Sequence, residues 1–545
     1  MWEFVFAHAR SEAVSKFQVR RKRFIGVRKF AEIAAKRKEE AATKARAEAD
    51  EEESERRCAE LEALRPRRSI LQLLDMELPD VNTSVDIKEY AEEHFNLNRK
   101  GFFGAKTTVT KMLSWKNDVI KMSLLKLPSK DLEAQATQAF RNVMGFMGDR
   151  SSRKDESGHA DKLLKMCLNS PAELRDEVYC QIIKQTSNNP DAESTRAGWQ
   201  LLSIIAGAIA PSEDFKPYLL SYCAGLLGDA ALGEFVRFTM GRVLKTIALG
   251  PRKEAPTIAE IEACRVTAPV LVRVFSLDGT FDMMPITSWT TSKNLCSMMC
   301  EKRGIVRGSA FGIFEMTPEG EERVLDSDER VLDVIAYWHR LFDEEKAKGE
   351  DAKSKKEKRK ALGNNFYSFV FKVALYLELP VEDSAAQHQL YVQAVYDVVS
   401  ARYPCGEDDS LALAGVLLQA ECGDAGIPKL SDRLDRFLPA KYATGKGIDK
   451  ENVAEKVTSE HKKHRGTSKV AAEKFYLHYI KDWQVYGSSF FFAEPQNTVD
   501  MPEEVFLAVN PKGVLVINPE TKEVRRRGRG RQDMTRRESV TGVVC

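Results

Sequence analysis

Apolar positions recur at helical spacing through much of the chain and at strand spacing in a few shorter stretches. Leu174, Val178 and Ile182 stand four apart and fall on one face of a helix. Ser170-Pro171-Ala172-Glu173 ahead of them reads as a capping box: serine at the N-cap, proline at the first helical position, glutamate three residues on. Asn188-Asn189-Pro190 ends that helix, a second runs from about Trp199 to Ala210-Pro211-Ser212, and a third begins behind Phe215. The pattern predicts a packed antiparallel helix array, one all-helical domain over residues 70–265. Ahead of it, residues 1–38 form a basic helical segment, and residues 39–69 are rich in Ala, Glu, Lys and Arg. With almost no large apolar residue, 39–69 reads as a charged, solvated helical spacer.

The character changes at Pro269. Val270 to Phe275 is strand-like, Asp278-Gly279 is a hairpin turn, and Thr280 to Ile286 reads as the return strand. A helix capped by Thr291 or Ser292 carries Leu295, Met298 and Met299 on one face, and Phe311 to Glu315 is a further strand. This order, over 269–342, predicts a ubiquitin-like β-grasp lobe. Residues 343–364 are a charged linker, 365–485 a helical lobe, and 486–524 a short β lobe built on Phe490 to Phe492, Val505 to Val509 and Val514 to Ile517. Residues 525–545 open on Arg525-Arg526-Arg527-Gly528-Arg529 and read as an Arg-rich disordered tail. The fold class is therefore multidomain and mainly α.

Composition changes little in this picture. The net charge of +2 is too near zero to name a partner, so local charge blocks matter more. The ten cysteines are scattered with no Cys-x-x-Cys pair, and Cys296 and Cys300 lack a nearby histidine pair, which points to reduced thiols and no zinc site. Leu201 to Ala210 is the longest apolar run and is far short of a membrane span, and Trp2 to Ala7 lacks the features of a signal peptide. Gly101-Phe102-Phe103-Gly104-Ala105-Lys106-Thr107 has the wrong spacing for a phosphate-binding loop, so no motor ATPase is expected within this chain. His461-Lys462-Lys463-His464-Arg465 has no carboxylate spaced to orient its histidines and reads as a solvated loop. The sequence predicts no catalytic, cofactor or metal site, hence a binding protein and not an enzyme.

Two resemblances sharpen the reading. The stretch LRDEVYCQIIKQT, with Asn189-Pro190, Gly198-Trp199-Gln200-Leu201-Leu202, Pro211-Ser212 and Tyr218-Leu219 behind it, resembles the myosin tail homology 4 domain. Phe369-Val370-Phe371-Lys372, Leu379-Pro380, the helix Leu390 to Arg402 closing on Tyr403-Pro404, Leu417 to Asp424, and Tyr486-Gly487-Ser488-Ser489-Phe490-Phe491 resemble a FERM domain. Together they cover roughly residues 75–520 in a family order, that of unconventional myosin tails and one plant kinesin type. A full third FERM lobe is a β-sandwich with a closing helix. Here the recognisable pattern stops near Val524, so the lobe is expected to lack most of its strands.

The resemblance implies a cytoplasmic, cytoskeleton-associated cargo-binding tail that docks peptides or membrane-protein tails. A motorless FERM adaptor linking membrane phospholipid or receptor tails to the cytoskeleton is the alternative. Phe17, Gln18, Lys22, Arg23 and Arg28 approximate an IQ motif, a basic amphipathic helix that calmodulin or a myosin light chain would grip; the other reading is a solvated basic helix. Lys111, Lys116, Lys121, Lys126, Arg150, Arg153 and Lys154 form a basic set on the helical domain. In the family such a surface contacts acidic tubulin tails in some members, and the other reading is an ordinary solvated face. Acidic phospholipid ranks behind these partners, and no specific nucleic-acid binding is expected.

Overall fold

The computed structural model describes residues 84–97, 108–318, 321–347, 367–376, 382–494, 504–518 and 524–528. The IQ-like segment with Phe17, Gln18, Lys22, Arg23 and Arg28, and the spacer 39–69, lie outside the described residues. Helices α1 (Ile87–His94), α2 (Val109–Leu113), α3 (Lys130–Met147), α4 (Glu156–Leu168), α5 (Ala172–Thr186), α6 (Ala192–Ala206), α7 (Lys216–Ala224), α8 (Gly233–Leu249) and α9 (Ile258–Arg265) build the helical domain. Short polar side chains start several of them. Ser129 accepts the Leu132 amide at α3, Asp155 the Gly158 amide at α4, and Asp191 those of Glu193 and Ser194 at α6.

Helix α5 departs from the expected capping box. Pro171 stands at its N-cap without a side-chain bond, while Ser170 Oγ turns back to donate to the Met166 carbonyl at 2.7 Å, closing α4. Leu174, Val178 and Ile182 are fully buried, but so are Glu177, Tyr179, Cys180 and Gln181. α5 is therefore a central helix enclosed on every face, not one with a single apolar stripe, and its polar side chains need internal partners.

The next lobe opens with the hairpin β1 (Val270–Phe275) and β2 (Phe281–Ile286), whose turn holds Gly279 at φ 85°. α10 (Ser292–Arg303) follows behind a reciprocal Thr291–Asn294 capping box. Then come β3 (Phe311–Met316), β4 (Glu322–Val324), α11 (Val331–Ala347) and β5 (Ser368–Val373). The sheet order is β2-β1-β5-β3-β4, with β5 parallel to β1 and antiparallel to β3. Two sequence readings are corrected here. The pattern places residues 365–485 in the helical lobe, yet β5 is the central strand of the first sheet. Phe369, Val370, Phe371 and Val373 are all buried, so both faces are covered and the alternation that marks a strand is missing. The charged run 343–364 also begins within a helix, since α11 continues to Ala347.

Helices α12 (Ser384–Val399), α13 (Glu407–Cys422), α14 (Ala440–Ala443), α15 (Lys450–Lys462) and α16 (Lys469–Ile480) form the helical lobe. The third lobe is a four-stranded antiparallel sheet, β6 (Ser489–Ala493), β7 (Val505–Asn510), β8 (Gly513–Ile517) and β9 (Val524–Gly528), in that order. β9 takes residues 525–528 into the sheet, so the expected Arg-rich tail does not begin at 525; residues 529–545 lie outside the described residues. Ladder pairing such as Leu515 with Arg527 uses backbone groups alone, so a strand can add at an edge without apolar residues. Two apolar cores result. One fills the helical domain; the other runs through all three lobes, from Val274 and Ile313 through Leu417 and Tyr476 to Ala508 and Leu515. Trp289, from the loop after β2, belongs to the helical domain's core, so the two units interlock.

Candidate functional site

The seam between helical domain and first lobe fixes how the two present their surfaces. Arg252, in the loop leaving α8, is buried and pairs with Glu260 of α9 at 2.5 Å and with Asp333 of α11. Burial alone would raise the Glu260 carboxyl, but Arg252 outweighs it and holds the group below its usual range. Ser288 donates to the same Glu260 carboxylate at 2.7 Å and takes a bond from Arg242 Nη2 at 3.3 Å. Arg242 lies 5.1 Å over the Trp289 ring. Arg330 reaches the carbonyls of Leu249, Gly250 and Pro251, and Arg340 pairs with Glu254 at 3.0 Å. The helical domain and the first lobe thus meet across a continuous set of ion pairs and hydrogen bonds.

The first lobe and the helical lobe behind it are tied to each other in the same way. Arg303 of α10 binds Asp282, Ser276 and, across the lobe boundary, Gln389 of α12 at 2.9 Å. Glu322 of β4 is gripped by Lys372 of β5 and by Arg402 beyond α12 at 2.7 Å. Burial would raise its carboxyl, yet those two cations hold it at about 2.

On the helical domain, all seven basic residues read from the sequence are exposed. The segment between α2 and α3 runs along α5. Near its start, the Lys116 amide and carbonyl both bond the Gln185 side chain, at 3.2 and 3.1 Å. Near its end, Glu177 accepts the Leu124 and Leu125 amides at 2.8 and 2.7 Å. Lys116 and Lys126 are therefore about eight helix residues apart along α5, roughly 12 Å at 1.5 Å per residue. Lys126 points away to the Glu93 carbonyl at 2.6 Å, and Lys116 pairs with Asp118. The lysines of this segment are spread out.

The loop cations are gathered. Asp149, at the end of α3, accepts from Trp115 Nε1, Gln185 Nε2 and Ser194 Oγ, which anchors the loop holding Arg150, Arg153 and Lys154 beside the Lys116 segment. His159 of α4 sits under this loop, its ring bonded to Asn142 and Ser152. Burial first, then the charges of Lys154, Arg150 and Lys162, push its pKa down. The neighbouring Lys162 ammonium pushes the Lys154 pKa below the usual lysine value. Lys162 was not legible as part of the set, because on sequence it is one more charge on the solvent side of α4. Its clue was the spacing Asp155…His159…Lys162, which puts it on the histidine's side of the helix. The arrangement is chemically suited to holding a polyanionic surface.

Comparison with known proteins agrees with this architecture. Residues 160–263 match the MyTH4 domain, 268–372 the RA like domain and 377–491 the FERM central domain. Kinesin-like protein KIN-14I of Oryza sativa subsp. japonica is 28% identical over 469 residues, covering 80% of this chain and 36% of the kinesin. Unconventional myosin heavy chain 6 of Caenorhabditis elegans is 26% identical over 352 residues, 64% of this chain and 16% of the myosin. The chain thus spans well under half of the length of either relative. Among solved structures, the human Myosin 7b C-terminal MyTH4-FERM domain in complex with the harmonin-a PDZ3 domain superimposes with a TM-score of 0.64 at 22% identity, covering 84% of this chain and 91% of that one. The chain carries a MyTH4 domain followed by a FERM domain, the fold arrangement of that myosin tail.

Proposed function

We propose that this chain is a cytoskeletal tail module that holds partners and does no chemistry of its own. The observation that carries the reading is the set of exposed cations Arg150, Arg153 and Lys154 on a loop that Asp149 anchors and Ser152 ties to His159 at 2.8 Å, with the exposed Lys162 one turn further along α4. Such a cluster suits an acidic polymer, and microtubules, with their acidic tubulin tails, are the partner that the family resemblance favours. The FERM lobes would dock peptide or membrane-protein tails, in keeping with the harmonin complex of the human Myosin 7b domain. The relatives, kinesin-like and myosin chains, support a cytoskeletal setting. Residues 10–35 would bind calmodulin or a light chain, a reading that rests on sequence alone.

The test is cosedimentation of the full chain with microtubules at low and physiological salt, beside an Arg150→Glu/Lys154→Glu/Lys162→Glu variant. Pelleting of the wild type alone, weakening as salt rises, supports the reading. Equal pelleting of both makes the cluster a solvated face.

A further inference from the structure

The loop that joins α3 to α4 carries two adjacent serines, and the bonds that hold the loop treat them differently. Gly148 turns the chain out of α3 at φ 81°, and Asp149 fixes the start of the loop on Trp115, Gln185 and Ser194. Ser152 is engaged further on: its hydroxyl lies 2.8 Å from His159 Nε2 and accepts the Lys154 amide at 3.1 Å. Ser151 is exposed, and its hydroxyl makes no hydrogen bond among the described residues.

The surroundings of that free hydroxyl are cationic. Arg150 precedes it, Arg153 and Lys154 follow it in the loop, and Lys162 joins them from α4. All of these cations are exposed, and none pairs with a carboxylate among the described residues. The nearby carboxylates are committed elsewhere: Asp149 to its three donors, Asp155 to the Gly158 amide at the start of α4, and Asp161 to Lys165 at 2.9 Å. A serine in exposed, irregular backbone with cations before and after it suits a basic-directed protein kinase, whose acidic cleft reads that charge pattern. The same cations suit the product, because arginine presents a planar fork to phosphate oxygens and such charge-assisted bonds are strong.

We propose that Ser151 is a phosphorylation site for a basic-directed serine/threonine kinase, and that its phosphate discharges the surface this module offers to acidic partners. In the transfer, Ser151 Oγ forms a bond to the γ-phosphorus of ATP and the bond from that phosphorus to the β,γ-bridging oxygen breaks. The hydroxyl proton passes to the kinase's catalytic carboxylate, and ADP leaves. The phosphate brings about −1.5 to −2 charges at neutral pH, enough to cancel roughly half of the set Arg150, Arg153, Lys154 and Lys162. The proposal rests on the reading of this surface as a polyanion contact and gives that contact an off state. Phosphate on Ser152 would act differently, since it would break the tie to His159 that shapes the loop.

The experiment treats the full chain and its Ser151→Ala variant with protein kinase C catalytic fragment and ATP, and locates phosphate by tandem mass spectrometry. Phosphate on Ser151 of the wild type is expected. No phosphate there, or phosphate on Ser152 in its place, overturns the proposal. The second readout is His159, followed by NMR of chain with isotope-labelled histidine and assigned with His159→Gln. Burial and the charges of Lys154, Arg150 and Lys162 hold its pKa down, so a phosphate among those cations should raise it in treated wild type and not in treated Ser151→Ala. An unmoved His159 in chain phosphorylated at Ser151 also overturns the proposal, because the phosphate then faces away from the cluster. In microtubule cosedimentation at low salt, treated wild type should bind on the order of tenfold more weakly than treated Ser151→Ala. Equal pelleting of both overturns the off state. Pelleting of neither, before or after treatment, with His159 shifted, supports Ser151 as the modified site and sinks only the microtubule reading.

Discussion

Arg252 and Asp333 share a buried ion pair across the seam between the helical domain and the first FERM lobe. Both ends of the guanidinium are used, since Glu260 takes the other side at 2.5 Å. Removing the cation leaves two carboxylates facing each other in a dry interface. Arg252→Ala should therefore lower stability by about 3–5 kcal/mol, the usual effect of breaking one side of a buried pair. Chemical denaturation gives the number, and limited proteolysis gives the location: new early cleavage between Cys264 and Val270 is expected. A loss below about 1 kcal/mol would mean that water reaches those carboxylates and the pair acts as a surface bridge.

Glu177 supplies a pH dependence. Burial pushes its carboxyl up to about 7, although the Leu124 and Leu125 amides and Gln181 donate to it. An unfolded glutamate titrates near 4.3, so the folded chain holds this proton more tightly. Its contribution to stability is fully present below the unfolded value and is lost as pH rises through about 7. Glu177→Gln removes the titration but turns an NH2 group toward one of two amide donors. The variant should be less stable by about 1–3 kcal/mol at low pH. It should also lose less stability than the wild type between about pH 4 and about pH 7. Parallel slopes for the two proteins in denaturant titrations would show that Glu177 does not titrate in that window.

Local signals were legible wherever one short segment decided the outcome. Asp278-Gly279 turned the first hairpin, Thr291 capped α10, and Leu174, Val178 and Ile182 are buried as their spacing required. What sequence reading missed depends on partners far away in the chain. β5 is a strand because it inserts between β1 and β3, both well upstream of it, and its central place in the sheet is what covers both of its faces. Ser170 had a local role open at either helix, and the Met166 carbonyl took it. Trp289 fills another domain's core, and Lys162 joins the basic cluster only when the Arg150 loop folds over α4.

Gly487 enters the third lobe at φ 73°, and its amide donates to the Tyr403 hydroxyl at 3.0 Å. A Cβ there would stand 3.1 Å from Tyr376 Cβ and Cγ, a ring that is itself enclosed between Tyr403 and Tyr486. Gly487→Ala thus combines backbone strain with a close contact and should cost about 1–3 kcal/mol. The effect should be local, so hydrogen exchange ought to rise in β6 to β8 while α5 and α6 keep their protection. Uniform loss of protection across the chain would contradict a lobe-specific joint.

Asp149 offers a way to separate positioning from charge at the basic cluster. It accepts from Trp115, Gln185 and Ser194 at 3.1, 3.0 and 2.7 Å, and so holds the Arg150 to Lys154 loop beside the Lys116 segment. Asp149→Ala leaves these donors unsatisfied and should destabilise the chain by about 1–3 kcal/mol. It also removes a negative charge from a positive surface, which by Coulomb attraction alone would strengthen binding to an acidic partner. The two effects have opposite signs for microtubule cosedimentation. If the loop must be held for Arg150, Lys154 and Lys162 to act together, binding falls at every salt concentration while its salt dependence stays that of the wild type, since no cation is lost. The triple charge reversal instead flattens the salt dependence. Binding that rises in Asp149→Ala would show that net charge governs the contact and that the loop's shape does not.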